Sequence, residues 1–260
     1  MTHVNGGEAL VAALAAHGVD TVFGIPGTHN LSVFAAMPGH GIVNVPCRHE
    51  QGAGYAADGY ARVTGQPGVC ITTTGPAILN AAAAAAQAYS DSVPVLFVSP
   101  GMPVAHPGQG NGLLHEVKDQ SAAMDAVVAY SHRVTSLAEI PSAVAQAFAA
   151  MRTGRPRPVH LEIPLDLLDE VGDAEPVAPI TVVAAAPDPD LVDTAVRMLS
   201  RAQRPVVVVG GGASSAADRV RRLAERTGAP VIASCNGKGV LPESHELSLG
   251  AGPQHAGVLE

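Results

Sequence analysis

Short, continuous runs of hydrophobic residues alternate with longer, helically periodic segments along most of this chain. The runs predict buried strands, which in the first part of the chain are residues 21–25, 42–45, 69–73, 95–99 and 159–163. The segments between them predict helices at residues 8–17, 31–37, 50–64, 77–89 and 137–151. Because the strands are apolar throughout and are separated by helices, the pattern predicts a doubly wound parallel α/β sheet.

Residues 166–189 interrupt this alternation, since they are rich in Asp, Glu and Pro. They predict a linker between a first domain, residues 1–165, and a second domain, residues 190–260. The predicted elements of the second domain are a helix at 191–199, a strand at 205–209, a helix at 213–227 and a strand at 230–234. Two strands are too few to form a covered parallel sheet. We therefore expect an incomplete Rossmann-like α/β domain whose remainder lies outside this sequence.

Composition narrows the range of partners. The chain has 15 Lys and Arg against 23 Asp and Glu, and its net charge of −8 argues against nucleic acid as a partner. No hydrophobic run approaches the roughly 18 residues of a membrane span, and the N-terminus lacks a signal-peptide pattern. The three cysteines are far apart and odd in number, so they predict neither a metal site nor a disulfide framework. We expect a cytoplasmic protein without membrane attachment.

Three segments that follow predicted strands are candidates for a ligand-binding edge: residues 24–27, 47–50 and 72–76. The carboxyl ends of parallel strands line the ligand crevice of an open α/β sheet. Glycines there allow close backbone approach, threonines supply hydroxyl groups, and Glu50 puts a carboxylate at the start of a helix. The pattern leaves two alternatives open, because ordinary turns and a helix-end charge partner would use the same residue types.

Six motifs follow one another along the chain in a specific order. They are Phe23-Gly24-Ile25-Pro26-Gly27, Arg48-His49-Glu50, Thr73-Thr74-Gly75-Pro76 with Asn80, Asp91-Ser92-Val93-Pro94, Gly210-Gly211-Gly212 and Gly237-Lys238-Gly239. In this order and spacing, the chain resembles the N-terminal part of thiamine-diphosphate enzymes of the acetolactate synthase type. The resemblance implies a pyrimidine-binding domain followed by the start of a central domain, with thiamine diphosphate as cofactor and a 2-oxo acid as substrate.

The resemblance also implies roles for individual residues. Glu50 would be catalytic, because the matching carboxylate hydrogen-bonds N1′ of the cofactor's aminopyrimidine and promotes loss of the thiazolium C2 proton. Seven further residues would contact the cofactor or shape its pocket: Gly24, Pro26, Gly27, Thr73, Thr74, Gly75 and Asn80. The alternative for these seven is turn geometry alone. The reaction implied is decarboxylation or carboligation of a 2-oxo acid, in which the cofactor carries the chemistry.

The loop predicted at residues 101–121 carries His115, where acetolactate synthases have a glutamine. An imidazole can transfer protons near neutral pH, so His115 is the second candidate catalytic residue. Proton transfer would give an aldehyde, whereas a second 2-oxo acid would give a carboligation product. The alternative is a solvated loop histidine. Ala129 replaces a lysine of acetolactate synthases, and the loop looks closer to that of 5-guanidino-2-oxopentanoate decarboxylases.

The Gly-Asp-Gly motif through which the family binds diphosphate and Mg2+ does not occur in these 260 residues. We therefore expect no metal ligand on this chain and a second subunit or chain that supplies the diphosphate-binding domain. The isolated chain is expected to be inactive. An alternative of a different class is a non-catalytic or split-enzyme subunit that needs such a partner.

A weaker alternative is a nucleotide-binding oxidoreductase, because Gly210, Gly211 and Gly212 follow a predicted strand. A dinucleotide fingerprint needs a further glycine, and Ser215 occupies that position. Some members of the family that the chain resembles hold FAD in the central domain. The three glycines are compatible with FAD but do not specify it.

Overall fold

The computed structural model describes residues 3–105, 110–183 and 185–252 of the chain. The chain forms two compact units, Met1–Ala184 and Ala185–Glu260. Part of the segment predicted as a linker is ordered in the first unit, where it forms a short helix, Leu165–Asp169, and a strand, Val171–Asp173. The first unit therefore extends beyond the domain boundary that composition indicates.

One parallel sheet organises the first unit. The strands of this unit are β1 (His3–Asn5), β2 (Thr21–Gly24), β3 (Val43–Pro46), β4 (Gly68–Ile71), β5 (Val95–Gly101), β6 (Ser131–Arg133), β7 (Val159–Pro164) and β8 (Val171–Asp173). Six of them pair in parallel in the order β3-β2-β4-β5-β7-β6. Every residue of β4, β5 and β7 is buried. The predicted α/β fold class is confirmed.

Helices cover both faces of this sheet. The α-helices of the unit are α1 (Gly6–Ala16), α2 (Leu31–Ala36), α3 (Glu50–Thr64), α4 (Pro76–Asp91), α5 (Gln120–Asp125), α6 (Ile140–Arg152) and α7 (Leu165–Asp169). Large residues of α1 and α6, such as Leu10 and Phe148, fill one core. Alanines of α3 and α4 fill the other. These small side chains let the two helices approach so closely that a Cβ on Gly54 would lie 2.6 Å from that of Ala84.

The elements that the hydrophobic pattern did not predict are short. They include β1, which pairs antiparallel with β8, the edge strand β6, and the helices α5 and α7. Elements of three to six residues are too short to show a hydrophobic period. The predicted loop at residues 101–121 is largely confirmed, since β5 ends at Gly101 and α5 begins at Gln120. Residues 106–109 of that loop lie outside the described part of the chain.

The second unit has a smaller parallel sheet. Its elements are α8 (Pro189–Arg201), β9 (Val207–Val209), α9 (Ala217–Thr227), β10 (Val231–Ala233) and β11 (Ser248–Ala251), and the strand order is β11-β10-β9. The sheet has one strand more than the sequence pattern predicts. Its core is small, and every residue of α8 is exposed in spite of apolar side chains such as Leu191 and Val196. Across the described ranges, no helix is both long and apolar enough to cross a bilayer.

Helix α3 lies directly against β4, and Gly68 makes this possible. A Cβ on Gly68 would lie 2.1 Å from the carbonyl oxygen of Ala57, a backbone atom that cannot move independently of its helix. We expect Gly68→Ala to lower the free energy of unfolding by about 1–3 kcal/mol or more, because α3 must shift. Gly59→Ala is the matched control on α3, since a Cβ there meets nothing within 4 Å. Urea denaturation of both variants measures the difference, and equal stabilities would contradict the packing argument.

His160 lies at the centre of a buried polar row. Its Nε2 is 2.8 Å from Ser99 Oγ, and its Nδ1 is 2.7 Å from Ser131 Oγ. Burial lowers the pKa of His160 from the ordinary 6.5 to about 3. Between these two pH values the unfolded chain binds a proton that the folded chain excludes, so the stability contributed by His160 falls as the pH falls.

We expect the exclusion of this proton from folded His160 to lower the free energy of unfolding by at most about 1.4 kcal/mol for each pH unit below pH 6.5. Denaturant unfolding between pH 7 and pH 4 measures the total slope, and His160→Gln removes the contribution of this imidazole. The variant should lose stability less steeply as the medium is acidified. An identical slope in both proteins would show that His160 does not titrate as its burial requires.

Candidate functional site

Three loops meet at one edge of the main sheet. They follow β2, β3 and β4, which are neighbouring parallel strands, so their carboxyl ends lie side by side. This edge is where open α/β sheets bind ligands. The loops and the element ends that flank them contain seven of the nine predicted site residues, namely Gly24, Pro26, Gly27, Glu50, Thr73, Thr74 and Gly75. Asn80 follows on α4, and His115 lies on the long loop after β5.

Asn30 joins the first of these loops to the third. The side chain is fully buried, and its Nδ2 donates to the carbonyl oxygens of Ile25 and Thr72 at 3.2 and 3.0 Å. Its Oδ1 accepts a hydrogen bond from the Gly27 amide at 2.8 Å. Among the described residues, Asn30 provides the hydrogen-bond partner for each of these three backbone groups. The sequence analysis missed Asn30, although an Asn shortly after Pro-Gly is a typical turn signal.

Close backbone contacts account for two of the predicted glycines. A Cβ on Gly24 would lie 2.2 Å from the carbonyl oxygen of Ile71, and one on Gly27 would lie 2.6 Å from Thr73 Cγ2. Gly24 therefore lets the end of β2 lie against the end of β4, and Gly27 lets the first loop touch the third, which gives local packing a definite part in the choice of these residues. Pro26, between them, is exposed at the edge.

Glu50 is the first residue of α3 and is partly exposed. Asn80 Nδ2 donates to Glu50 Oε2 at 3.0 Å, so two predicted site residues from different helices meet directly. The positive end of the helix dipole favours a carboxylate at this position. Among the described residues, Glu50 Oε1 has no hydrogen-bond partner, which leaves it able to accept a bond from a ligand donor.

The third loop is pressed against the long loop at Gly75. This residue has φ 57°, and a Cβ on it would lie 2.0 Å from the carbonyl oxygen of His115. Its amide donates to Gln120 Oε1 at 2.5 Å. The buried Gln120 side chain also donates from Nε2 to Ser99 Oγ and to the Pro100 carbonyl oxygen, both at 2.9 Å. Sequence reasoning missed Gln120, whose only signal is a polar residue at the start of a short helix.

His115 is exposed at the edge and faces His29, a residue that sequence reasoning also missed. The two ring centroids are 5.5 Å apart, and His29 Nδ1 is 2.6 Å from Thr74 Oγ1. Burial, followed by the charge of His115, lowers the pKa of His29. No hydrogen bond joins Glu50 to His115 in the described part of the chain. The predicted catalytic residues therefore belong to two groups at this edge, Glu50 with Asn80 and His115 with His29 and Thr74.

The side chains at this edge include hydrogen-bond donors and acceptors, such as Asn80, Glu50 and His29. Within residues 3–105, 110–183 and 185–252, no group of three or more His, Cys, Asp or Glu side chains could hold a metal ion. The open carboxylate oxygen of Glu50 fits a protonated ring nitrogen or an amino group.

In the second unit, packing explains part of the glycine pattern. A Cβ on Gly237 would lie 2.4 Å from the carbonyl oxygen of Val209, and one on Gly211 would lie 3.2 Å from Asn236 Cβ. The loops after β9 and β10 therefore touch through glycines. Packing between the two loops is enough to explain these glycines, so FAD and dinucleotide binding in this unit stay predictions.

Comparison with known proteins gives two family matches in chain order. Residues 4–123 match the thiamine pyrophosphate enzyme, N-terminal TPP binding domain, and residues 192–258 match the thiamine pyrophosphate enzyme, central domain. A probable 2-ketoarginine decarboxylase, AruI of Pseudomonas aeruginosa, is 46% identical over 252 residues, covering 94% of this chain and 44% of that protein.

Two acetolactate synthases are also similar. A probable acetolactate synthase large subunit of Methanocaldococcus jannaschii is 35% identical over 262 residues, covering 97% of this chain and 44% of that protein. The acetolactate synthase large subunit of Corynebacterium glutamicum is 39% identical over 267 residues, covering 98% and 41%. The chain thus spans less than half the length of these curated relatives. With both domain matches in order and a carboxylate at the edge of a parallel sheet, the chain belongs to the thiamine pyrophosphate enzymes.

Proposed function

We propose that this chain supplies the pyrimidine-binding side of a thiamine diphosphate site for decarboxylation or carboligation of a 2-oxo acid. The observation that carries the proposal is the pairing of Glu50 with Asn80 at the carboxyl edge of the sheet. The pairing leaves one carboxylate oxygen of Glu50 open to the edge. Gly24, Pro26 and Gly27 on one side and Thr73, Thr74 and Gly75 on the other would form the walls of the pocket.

When bound, thiamine diphosphate would supply the electron sink for the electrons released with CO2. Glu50 would accept a hydrogen bond from N1′ of the aminopyrimidine through its open oxygen. Such a bond to an ionised acceptor is shorter and stronger than a neutral one, especially where water is partly excluded. Asn80 would hold the carboxylate in one orientation, so that the accepting oxygen is preorganised.

A second polypeptide segment would complete the site. The relatives are more than twice as long as this chain, and no described group of residues here offers a metal site. We propose that Mg2+ and the diphosphate are held by a diphosphate-binding domain on another segment or subunit. Charge-assisted contacts to the diphosphate would then supply much of the affinity for the cofactor.

Two observations support the proposed substrate: the loop that carries His115 and the similarity to one relative. A protein named probable 2-ketoarginine decarboxylase is 46% identical to this chain. 2-Ketoarginine is 5-guanidino-2-oxopentanoate, the substrate of the decarboxylases whose loop this chain resembles. We propose a decarboxylase in which His115 delivers the proton that converts the decarboxylated fragment into an aldehyde, with carboligation as the second candidate.

A subunit that has lost catalysis and only binds a partner is the competing proposal. Such a subunit would keep the fold and the close glycine contacts, but the hydrogen bond between Asn80 and Glu50 would serve no catalytic purpose in it. The two proposals differ in whether thiamine diphosphate and Mg2+ bind when this chain is united with a diphosphate-binding domain. Calorimetric titration of that assembly with the cofactor decides between them, and absence of binding would favour the non-catalytic subunit.

We expect Glu50→Gln to slow exchange of the cofactor's C2 proton by roughly 10²–10⁴-fold in the same assembly, because an amide cannot replace an ionised proton acceptor. Proton NMR after dilution into deuterated water measures this exchange. Glu243→Gln, on the second unit, serves as the matched control for loss of one surface carboxylate. Unchanged exchange in Glu50→Gln would rule out the proposed role.

Asn80→Ala removes the donor that orients Glu50 without removing the carboxylate. We expect cofactor binding to weaken by roughly tenfold, as for loss of one hydrogen bond to a charged group. Asn80→Asp should weaken it further, because a second carboxylate would then face Glu50 Oε2. Gln87→Ala is the control, since Gln87 lies on the same helix but bonds Asp91 instead. Equal binding constants in all three variants would contradict the orienting role of Asn80.

A further inference from the structure

Two imidazoles from distant parts of the chain meet at the carboxyl edge of the main sheet. His29 lies on the loop between β2 and α2, and His115 lies on the loop between β5 and α5. Their rings are 5.5 Å apart and nearly perpendicular, with an interplanar angle of 87°. At this distance, the charge of a proton on one ring acts electrostatically on the other ring.

His29 is held in one orientation. Its Nδ1 is 2.6 Å from Thr74 Oγ1, and Thr74 is fully buried. The next residue, Asn30, anchors the same loop through its three backbone partners. The ring therefore cannot swing away from His115 without breaking a hydrogen bond that belongs to the wall of the candidate cofactor pocket.

His115 is held in a backbone conformation that non-glycine residues seldom adopt. Its φ is 62°, in the left-handed region. The surrounding contacts maintain this conformation: its carbonyl packs against Gly75, and Gln120 ties the end of the loop to the Gly75 amide. The neighbouring Glu116 accepts hydrogen bonds from the amides of residues 110, 111 and 113, which closes the loop on itself. Strain that the fold preserves at one residue is a reason to look for a function there.

The electrostatics of the pair favour a single charge. Burial and the nearby charge of His115 both lower the pKa of His29. The charged side chains on the same loop are Glu116, whose carboxylate is engaged by backbone amides, Asp119, which caps α5, and the exposed Lys118. Among the described residues, neither imidazole forms an ion pair that would offset a second proton. A proton on one ring therefore disfavours a second proton on the other.

We propose that His29 is a positioning residue for His115, and that the two imidazoles act as one unit that holds a single proton. The exposed member, His115, would donate this proton to the carbon that has lost CO2, and would regain one from solvent. His29 would stay neutral, bonded to Thr74, and would keep the His115 ring facing the cleft. The catalytic part of this inference rests on the proposed function, but the coupling between the rings does not.

The coupling is measurable on the 260-residue chain without any cofactor. With 13C-labelled histidine, the Cε1 signals of His29 and His115 are followed by NMR through a pH titration of the wild type, His29→Asn and His115→Asn. His40→Asn is the matched control, because His40 pairs with Glu8 on another part of the unit. Asn is chosen at position 29 because its side chain can still bond Thr74.

We expect the midpoint of the His29 titration to move to higher pH in His115→Asn. In His29→Asn, the inflection that the His115 signal shows where His29 titrates should disappear, because coupled sites sense each other's charge. His40→Asn should change neither signal. A His29 midpoint that changes no more in His115→Asn than in His40→Asn would overturn the proposal. Should His29→Asn fail to fold, the His29 midpoint in His115→Asn decides alone.

This outcome is independent of the proposed function. Coupled titration without cofactor binding by the completed assembly would contradict the proposed function and leave the imidazole pair intact. Uncoupled titration together with cofactor binding would overturn the pair and leave the proposed function intact. In an active assembly, His29→Asn should also displace the pH profile of aldehyde formation, which a purely structural role of His29 would not do.

Discussion

The loops at the carboxyl edge of the main sheet carry backbone groups that no strand or helix pairs, and two buried amide side chains bind these groups. Asn30 bonds backbone atoms of residues 25, 27 and 72, and Gln120 bonds the Gly75 amide and the Pro100 carbonyl oxygen. A buried polar group left unpaired costs about 1–3 kcal/mol, so several of them would open these loops. Asn and Gln suit this position because each side chain both donates and accepts. The rest of the candidate site depends on the two side chains.

Close backbone approaches add a second level of constraint. Gly24, Gly27 and Gly75 each occupy a point where a Cβ would collide with a neighbouring strand end or loop. These contacts account for the glycines by packing alone, and contact of the same glycines with a cofactor stays a prediction.

The two groups of polar side chains at this edge suit different tasks in the proposed reaction. Glu50 with Asn80 presents an ionised acceptor of fixed orientation, which suits a partner that stays bound throughout turnover. His115, beside His29, lies on a loop that the fold holds in a strained conformation, and in the proposed reaction it would transfer a proton. In that proposal a permanent contact and a transient proton transfer would come from separate loops.

The sequence by itself determined the α/β fold class, the long strands and helices, the family and Glu50 at the start of α3. These features depend on local periodicity and on motifs of a few adjacent residues, and both can be read from the sequence alone. The sequence did not predict the short elements β1, β6, β8, α5 and α7, because each is too short to show a repeating hydrophobic pattern. Part of the Asp-, Glu- and Pro-rich segment proved to be ordered, because β8 finds its partner in β1, more than 160 residues earlier.

Only the tertiary structure decided which side chains meet. Asn80 reaches Glu50 across 30 positions, His29 reaches Thr74 across 45, and Gln120 reaches Gly75 across 45. Each pairing depends on the strand order of the sheet and on crossovers between its strands, which no local pattern encodes. The sequence could therefore identify Glu50, Asn80 and His115 as candidates, but the Glu50–Asn80 pairing and the contacts of Asn30, Gln120 and His29 became visible only where the parallel strands end together.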